Sequence, residues 1–282
     1  MSTLSDPASL RPIEERVEWR ETGASRGQEL VAVEGVSKAF GTRKSGTIAL
    51  NDVTLRVRQG EFVSLVGPSG CGKSTLLKII AGLLNASRGK VALDGQPIVG
   101  PRRDIGLMFQ TATLFPWRTV KRNIMLPFDI AKDKAPGREE KVAEVLDLVG
   151  LTGFENHYPR ELSGGMQQRV ALCRLLVSDP KLMLLDEPFG ALDEFTREYL
   201  NVELARITEL GSKTTVFVTH NISEAVFLSD RVVVMGTRPG RVLDVVDINL
   251  PRPRHADLLG SHEYADHVYE VRKILGLVKG ER

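Results

Sequence analysis

The sequence predicts an α/β fold with a helical insert. Three observations predict it. The β-like run "EFVSLV" gives way to "GPSGCGKST" and then to a helical period. "KLMLLDEP" is a continuous apolar run, as expected of a parallel strand buried on both faces. Further β-rich runs, "TTVFVTH" and "RVVVM", alternate with helical stretches.

Residues 1–28 are rich in Ser, Glu, Arg and Gly with little periodicity and read as a flexible extension. From Leu30 the pattern is β: "LVAVEGV", then Val53–Val57, then Glu61–Val66, the last two separated by the turn residue Gly60. After Lys73 the residues Leu76, Leu77, Ile80, Leu83 and Leu84 share one helical face, with Gly82 as a tolerated interruption. "GKVALDGQPI" reads as a hairpin broken at Asp94-Gly95, and "DIGLMF" as a buried strand. Residues 111–178 read as mainly helical. Within them Val142, Val145, Leu146 and Val149 have amphipathic spacing, and Gly150 is a stop signal. Leu200, Leu204 and Ile207 mark a helix closed by Gly211, and Asn221-x-x-Glu224 has capping-box spacing. After "LPRPR" the chain ends in a helix with Tyr264, Val268, Val271 and Leu275 on one face.

Composition bounds the function. The 282 residues are 42% hydrophobic with a net charge of +2, so bulk electrostatics gives no case for nucleic acid as a partner. No apolar stretch approaches the ~20 residues that span a bilayer. The 2 cysteines, Cys71 and Cys173, and the 5 histidines form no metal-ligand spacing, which fits a reducing compartment.

The chemistry lies in the motifs. Gly67-x-x-x-x-Gly72-Lys73-Ser74 fits the P-loop pattern. In such a loop Gly67, Pro68, Ser69, Gly70, Cys71, Gly72, Lys73, Ser74 and Thr75 cradle phosphates with backbone N–H groups. Lys73 reaches the outer phosphates, Ser74 can ligate Mg²⁺, and the following helix aims its positive end at the same anion. A plain Gly-rich turn is the alternative, but its place between strand and helix argues against that. Asp186 and Glu187 stand at the C-terminal end of the second apolar strand, where α/β ligands bind. Asp186 is a candidate for Mg²⁺, and Glu187 for general base. Alone, this pair reads equally well as a cap on the next turn. "LSGGMQQR", Leu162–Arg169, is another helix start stripped of side chains. On spacing alone it is either a glycine-rich cap or a second anion site completed in a dimer.

With "LSGGMQQR" just before "DEP", the chain resembles the ATP-binding subunits of ABC transporters, over roughly Leu30–Met235. The resemblance implies a P-loop NTPase core with an antiparallel β subdomain and a helical subdomain at about 111–178. The ATPase domain then spans 29–248 and a tail with a helix 249–282. It implies ATP and Mg²⁺ as ligands and a homodimer in which Ser163, Gly164, Gly165 and Gln167 reach the partner's nucleotide. Gln110 in "IGLMFQ" resembles the residue sensing Mg²⁺ and the attacking water. His220 in "VFVTH" resembles the γ-phosphate switch, and Asp193 in "GALD" the dimer-interface aspartate. Phe40 in "VSKAFG" matches the position that stacks on adenine. Phe40 stands where Tyr is common, and Asn221 follows His220 where Asp is common.

The output implied is transport. No fused spans, second cassette or long insertion between Thr75 and Leu162 points to the exporter, translation-factor or DNA-repair relatives. What remains is a peripheral subunit on the cytoplasmic face of the cell membrane, docked to integral-membrane permease subunits that an extracytoplasmic solute-binding protein supplies. "LFPW-x-TV-x-x-NI", "LPRPR" and "HEY" resemble the nitrate/sulfonate/taurine importer group. Phe115 and Trp117 are either core aromatics or part of a permease-facing surface. A soluble ATPase acting on a macromolecule, and an exporter subunit, are the alternatives.

Overall fold

The computed structural model describes residues 27–41, 46–190, 192–211 and 213–278. Nearly all of the extension expected over 1–28 lies outside these residues.

Two sheets organise the chain. β1 (Glu29–Phe40), β2 (Thr47–Arg58), β4 (Arg88–Leu93) and β5 (Gln96–Pro97) form an antiparallel sheet in the order β2-β1-β4-β5. The second sheet has the order β10-β9-β3-β8-β7-β6. It comprises β3 (Phe62–Val66), β6 (Ile105–Met108), β7 (Leu182–Asp186), β8 (Thr214–Thr219), β9 (Arg231–Gly236) and β10 (Arg241–Asp247). β6, β7, β8, β3 and β9 run parallel, and β10 closes the edge antiparallel to β9.

The central strands of the second sheet are buried on both faces, and strand alternation sorts their side chains into two cores. Val63, Leu65, Leu182, Leu184, Val216 and Val218 face the antiparallel sheet and α1 (Lys73–Ile80). Phe62, Val66, Met183, Leu185 and Phe217 face the helical side. Each such burial contributes roughly 1.5–3 kcal/mol, which fixes the register of every central strand. The helical side holds α2 (Val120–Ile124), α3 (Leu126–Ala131), α4 (Arg138–Leu148) and α5 (Gly164–Val177). Here α4 buries Val142, Val145 and Leu146, and Gly150 ends the segment at φ 65°. After β7 come α6 (Glu194–Leu210), α7 (Ile222–Leu228) and α8 (His262–Ile274), the last packed on α7 and β10.

Three expectations need correction, and one strand was not expected. α1 ends at Ile80, so Gly82 is not inside it. Gly82 has φ +71°, and a Cβ there would collide with the Gly100 carbonyl; it reverses the chain, and Leu83 leaves the apolar face 50% exposed. β6 is an edge strand, and within it only Met108 is buried. "RVLDVVD" forms β10, which the sequence reading passed over because only Val246 is buried there. At Asn221 half of the capping box forms: its Oδ1 accepts from the Glu224 N–H at 3.2 Å, while the Asn221 N–H donates to Thr219 Oγ1 at 3.0 Å.

Candidate active site

Adjacent strands deliver the predicted residues to one sheet edge. β3 runs into Gly67, β8 into His220, β7 into Glu187 and β6 toward Gln110. This is the carboxyl edge of the parallel strands, where ligands of open α/β sheets bind.

The loop after β3 leads into α1 through Gly72, which stands at φ 94°. A Cβ there would meet Leu50 Cδ2 at 2.5 Å and the Ala49 carbonyl at 2.9 Å, so only glycine fits. Pro68, Ser69 and Gly70 are exposed at the tip, and Cys71 is buried beneath them. Lys73 is 5% exposed. Its Nζ donates to the Gly67 carbonyl at 2.7 Å and the Pro68 carbonyl at 3.3 Å, so a buried cation lies across the loop. Thr75 is half-buried in the first turn of α1.

Ser74 Oγ donates to Asp186 Oδ1 at 2.7 Å, joining the first residues of α1 to the end of β7. Burial pushes the Asp186 carboxyl upward, the Ser74 bond opposes that, and the neighbouring Glu187 charge adds to it. Glu187 takes φ 47°, an uncommon backbone state for a residue with a side chain, and its N–H donates to the Val218 carbonyl at 2.9 Å. Two side chains converge on its Oε2. Gln110 Nε2 donates to it at 3.4 Å, and His220 Nδ1 stands 3.2 Å away. The site thus holds a cationic loop, two adjacent carboxylates, an amide and an imidazole.

The remaining predicted residues stand apart from this cluster. Ser163 caps α5, accepting from the Met166 N–H at 3.3 Å, and Ser163 and Gly164 are exposed. Among the described residues no hydrogen bond or ion pair joins Ser163, Gly164 or Gly165 to the loop Gly67–Thr75. Gln167 donates to the Pro159 carbonyl at 3.0 Å and the Leu162 carbonyl at 3.3 Å, so its amide N–H groups shape the turn before α5. Asp193 caps α6, and the Thr196 N–H at 2.9 Å holds its carboxyl below the usual range. Phe40 ends β1, 44% exposed, with the Lys38 ammonium 5.1 Å from its ring centre.

Residues 50–190 match the family described as ABC transporter. A Methanocaldococcus jannaschii protein described as the uncharacterized ABC transporter ATP-binding protein MJ0412 is 47% identical over 88% of this chain and 91% of its own. The chain belongs to the ABC transporter ATP-binding family. Another ABC relative, an aliphatic sulfonates import ATP-binding protein SsuB of Bacillus cereus, is 48% identical over 79% of this chain and 88% of its own. The nitrate import ATP-binding protein NrtC of Synechococcus elongatus is 45% identical over 84% of this chain, which covers 37% of that protein. A solved ABC cassette, the dimeric structure of MJ0796, superposes with a TM-score of 0.72 at 35% identity over 79% of this chain and 100% of that one. The same cassette in a post-hydrolysis state bound to ADP and Pi gives 0.71. Phe40, Asp193 and His220 fall outside the matched segment 50–190 of this ABC ATPase, so for them the geometry above stands by itself.

Three residues that support the candidate site from behind were not identified from the sequence. Gln168 donates to the Gln110 carbonyl, Arg174 binds the segment after it, and Glu224 accepts from Thr219 Oγ1 beside His220. Gln168 and Arg174 act on backbone carbonyls distant in sequence and Glu224 on the nearby Thr219 hydroxyl, and no spacing rule signals these contacts.

Proposed function

We propose that the chain is the ATP-hydrolysing subunit of an importer, driving uptake of a small anion through a separate permease. The convergence of Gln110 and His220 on Glu187 Oε2, beside the Ser74–Asp186 pair, carries this reading. The importer assignment rests on the relatives, which are named for sulfonate and nitrate import. Uptake of this kind takes its solute from an extracytoplasmic binding protein and puts the ATPase on the cytoplasmic face of the membrane. Among the described residues no helix is long and apolar enough to cross it.

ATP binds with its phosphates on the backbone of Gly67–Thr75 and against Lys73, and with its adenine on Phe40. A hard cation fits here too, because a hydroxyl and a carboxylate already meet at the Ser74–Asp186 contact. Ser74 and Asp186, with Gln110, would hold Mg²⁺, which supplies charge neutralisation to the phosphates when bound. Glu187 takes a proton from water as the water oxygen bonds to the γ-phosphorus. The bond to the β–γ bridging oxygen breaks, and ADP leaves with that electron pair. Gln110 and His220 hold the Glu187 carboxylate toward the water.

A second copy completes the site. Ser163, Gly164 and Gly165, shaped from behind by Gln167, offer N–H groups to the partner's γ-phosphate, and Asp193 lies at the interface. Glu187→Gln keeps the shape and removes the base. Turnover is expected to fall at least about a hundredfold, with ATP binding retained and an ATP-bound dimer accumulating on size exclusion. Hydrolysis by this variant at the wild-type rate would show that Glu187 is not the base.

A further inference from the structure

Helix α5 carries the Ser163–Gly165 turn at its start, and farther along it grips the chain that follows β6. Gln168, 4% exposed, donates from Nε2 to the Gln110 carbonyl. Arg174 donates to the Ala112 carbonyl at 3.0 Å, the Thr113 carbonyl at 3.0 Å and Thr113 Oγ1 at 3.2 Å. Thr113 stands at φ 44°, a left-handed conformation that a β-branched residue rarely adopts. Such a residue persists only where its surroundings hold it, and Arg174 occupies both of its oxygens. The segment 110–113 is therefore fastened to α5 at two points.

Gln110 faces two ways. Its side chain donates to Glu187 Oε2, and its carbonyl accepts from Gln168. One residue thus joins the catalytic carboxylate of this chain's own site to the helix whose first turn serves the partner's site. Among the described residues the Gln168 Oε1 is buried without a hydrogen bond. An isosteric Met would leave no orphan oxygen there, so what the amide contributes is the bond to Gln110.

We propose that Gln168 and Arg174 are positioning residues that tie α5 to the Gln110 segment, so that Gln110 in one nucleotide site and the Ser163–Gly165 turn in the other shift together. This rests on the composite dimer site proposed above. Breaking the tie would take the side-chain donors from the Gln110, Ala112 and Thr113 carbonyls and release the left-handed Thr113, so helix and segment move as a unit.

The test uses the full chain with Gln168→Met and, separately, Arg174→Met, each also placed in the Glu187→Gln background. ATP affinity of the monomer, read with a fluorescent ATP analogue, is expected to match wild type. Turnover is expected to fall about tenfold, and ATP-driven dimerisation of the Glu187→Gln protein, read by sedimentation, to weaken about tenfold. Arg174→Lys, which keeps a donor for one carbonyl, is expected to recover most of both. Unchanged dimerisation would reduce Gln168 and Arg174 to local supports of Gln110 and overturn the proposal, as would wild-type turnover in both Met variants. A Glu187→Gln protein that never dimerises with ATP would instead defeat the composite-site reading.

Discussion

Glu224 shows what a single buried carboxyl does beside the site. It is 6% exposed in the first turn of α7, and its Oε2 accepts from Thr219 Oγ1. Burial raises its pKa; the Thr219 bond, the Arg197 charge, Asn201 and His220 all pull it down without cancelling the burial. A carboxyl raised in the folded state favours folding most when protonated. That contribution is full below the unfolded value near 4.5 and is lost as pH rises through the folded value. Glu224→Gln does not titrate, and its amide can still accept from Thr219. The variant is therefore expected to be more stable than wild type at about pH 8, with the gain shrinking toward about pH 5. Thermal melts across that range check it, and a gain that grows as pH falls would reverse the sign. None of this was legible in the sequence, where Glu224 showed only a spacing to Asn221.

Elements divide by how their signals are written. β3, β7 and β8 were legible because both faces are apolar, and α4 because its stripe repeats at helical spacing. β10 carried no such signal, since it is an edge strand in which only Val246 is fully buried. The tail is a further case. "LPRPR" gave no element, yet Arg254, 3% exposed, donates to the carbonyls of Val226 at 3.2 Å, Phe227 at 2.8 Å and Ser229 at 3.0 Å. These are carbonyls at the C-terminal end of α7, where a helix lacks internal donors. Tyr264 of α8 donates to the Ser223 carbonyl at 2.9 Å, so the tail holds α7 at both ends. Burial, with Arg252 adding, pushes the Arg254 guanidinium down to about 10, still charged at neutral pH. Arg254→Met is expected to cost about 3 kcal/mol by leaving buried carbonyls without partners. Urea denaturation measures this, and a loss under about 0.5 kcal/mol would mean that other groups cap α7.

At the scale of the whole molecule, motif order made the candidate nucleotide site legible, because the Gly67–Thr75 loop, Gln110, Glu187 and His220 each follow a strand of one sheet. The expected permease-facing surface was less legible, and Trp117 shows why: an aromatic after Gln110 reads equally as core or as surface. The structure leaves Trp117 70% exposed, its ring 5.1 Å from that of Phe115, with the Arg118 guanidinium 5.8 Å from the Phe115 ring. Beside it lies a pocket of about 380 Å³ lined by Trp117, Thr119, Lys121, Arg122, Asn156 and Tyr158. An exposed Trp at the rim of a pocket is the kind of anchor that carries binding energy when a partner covers it. The segment holding it is continuous with Gln110, so a partner seated there receives whatever movement hydrolysis imposes on that residue. A tagged wild-type chain is therefore expected to recover integral-membrane subunits from detergent extracts of its host. Trp117→Ala is expected to weaken that recovery by about 2 kcal/mol, roughly thirtyfold, with monomer ATP binding unchanged. Recovery of no integral-membrane protein by wild type would remove the importer reading and leave an ATPase acting on a soluble macromolecule. Equal recovery by Trp117→Ala would keep the importer and move its docking surface elsewhere.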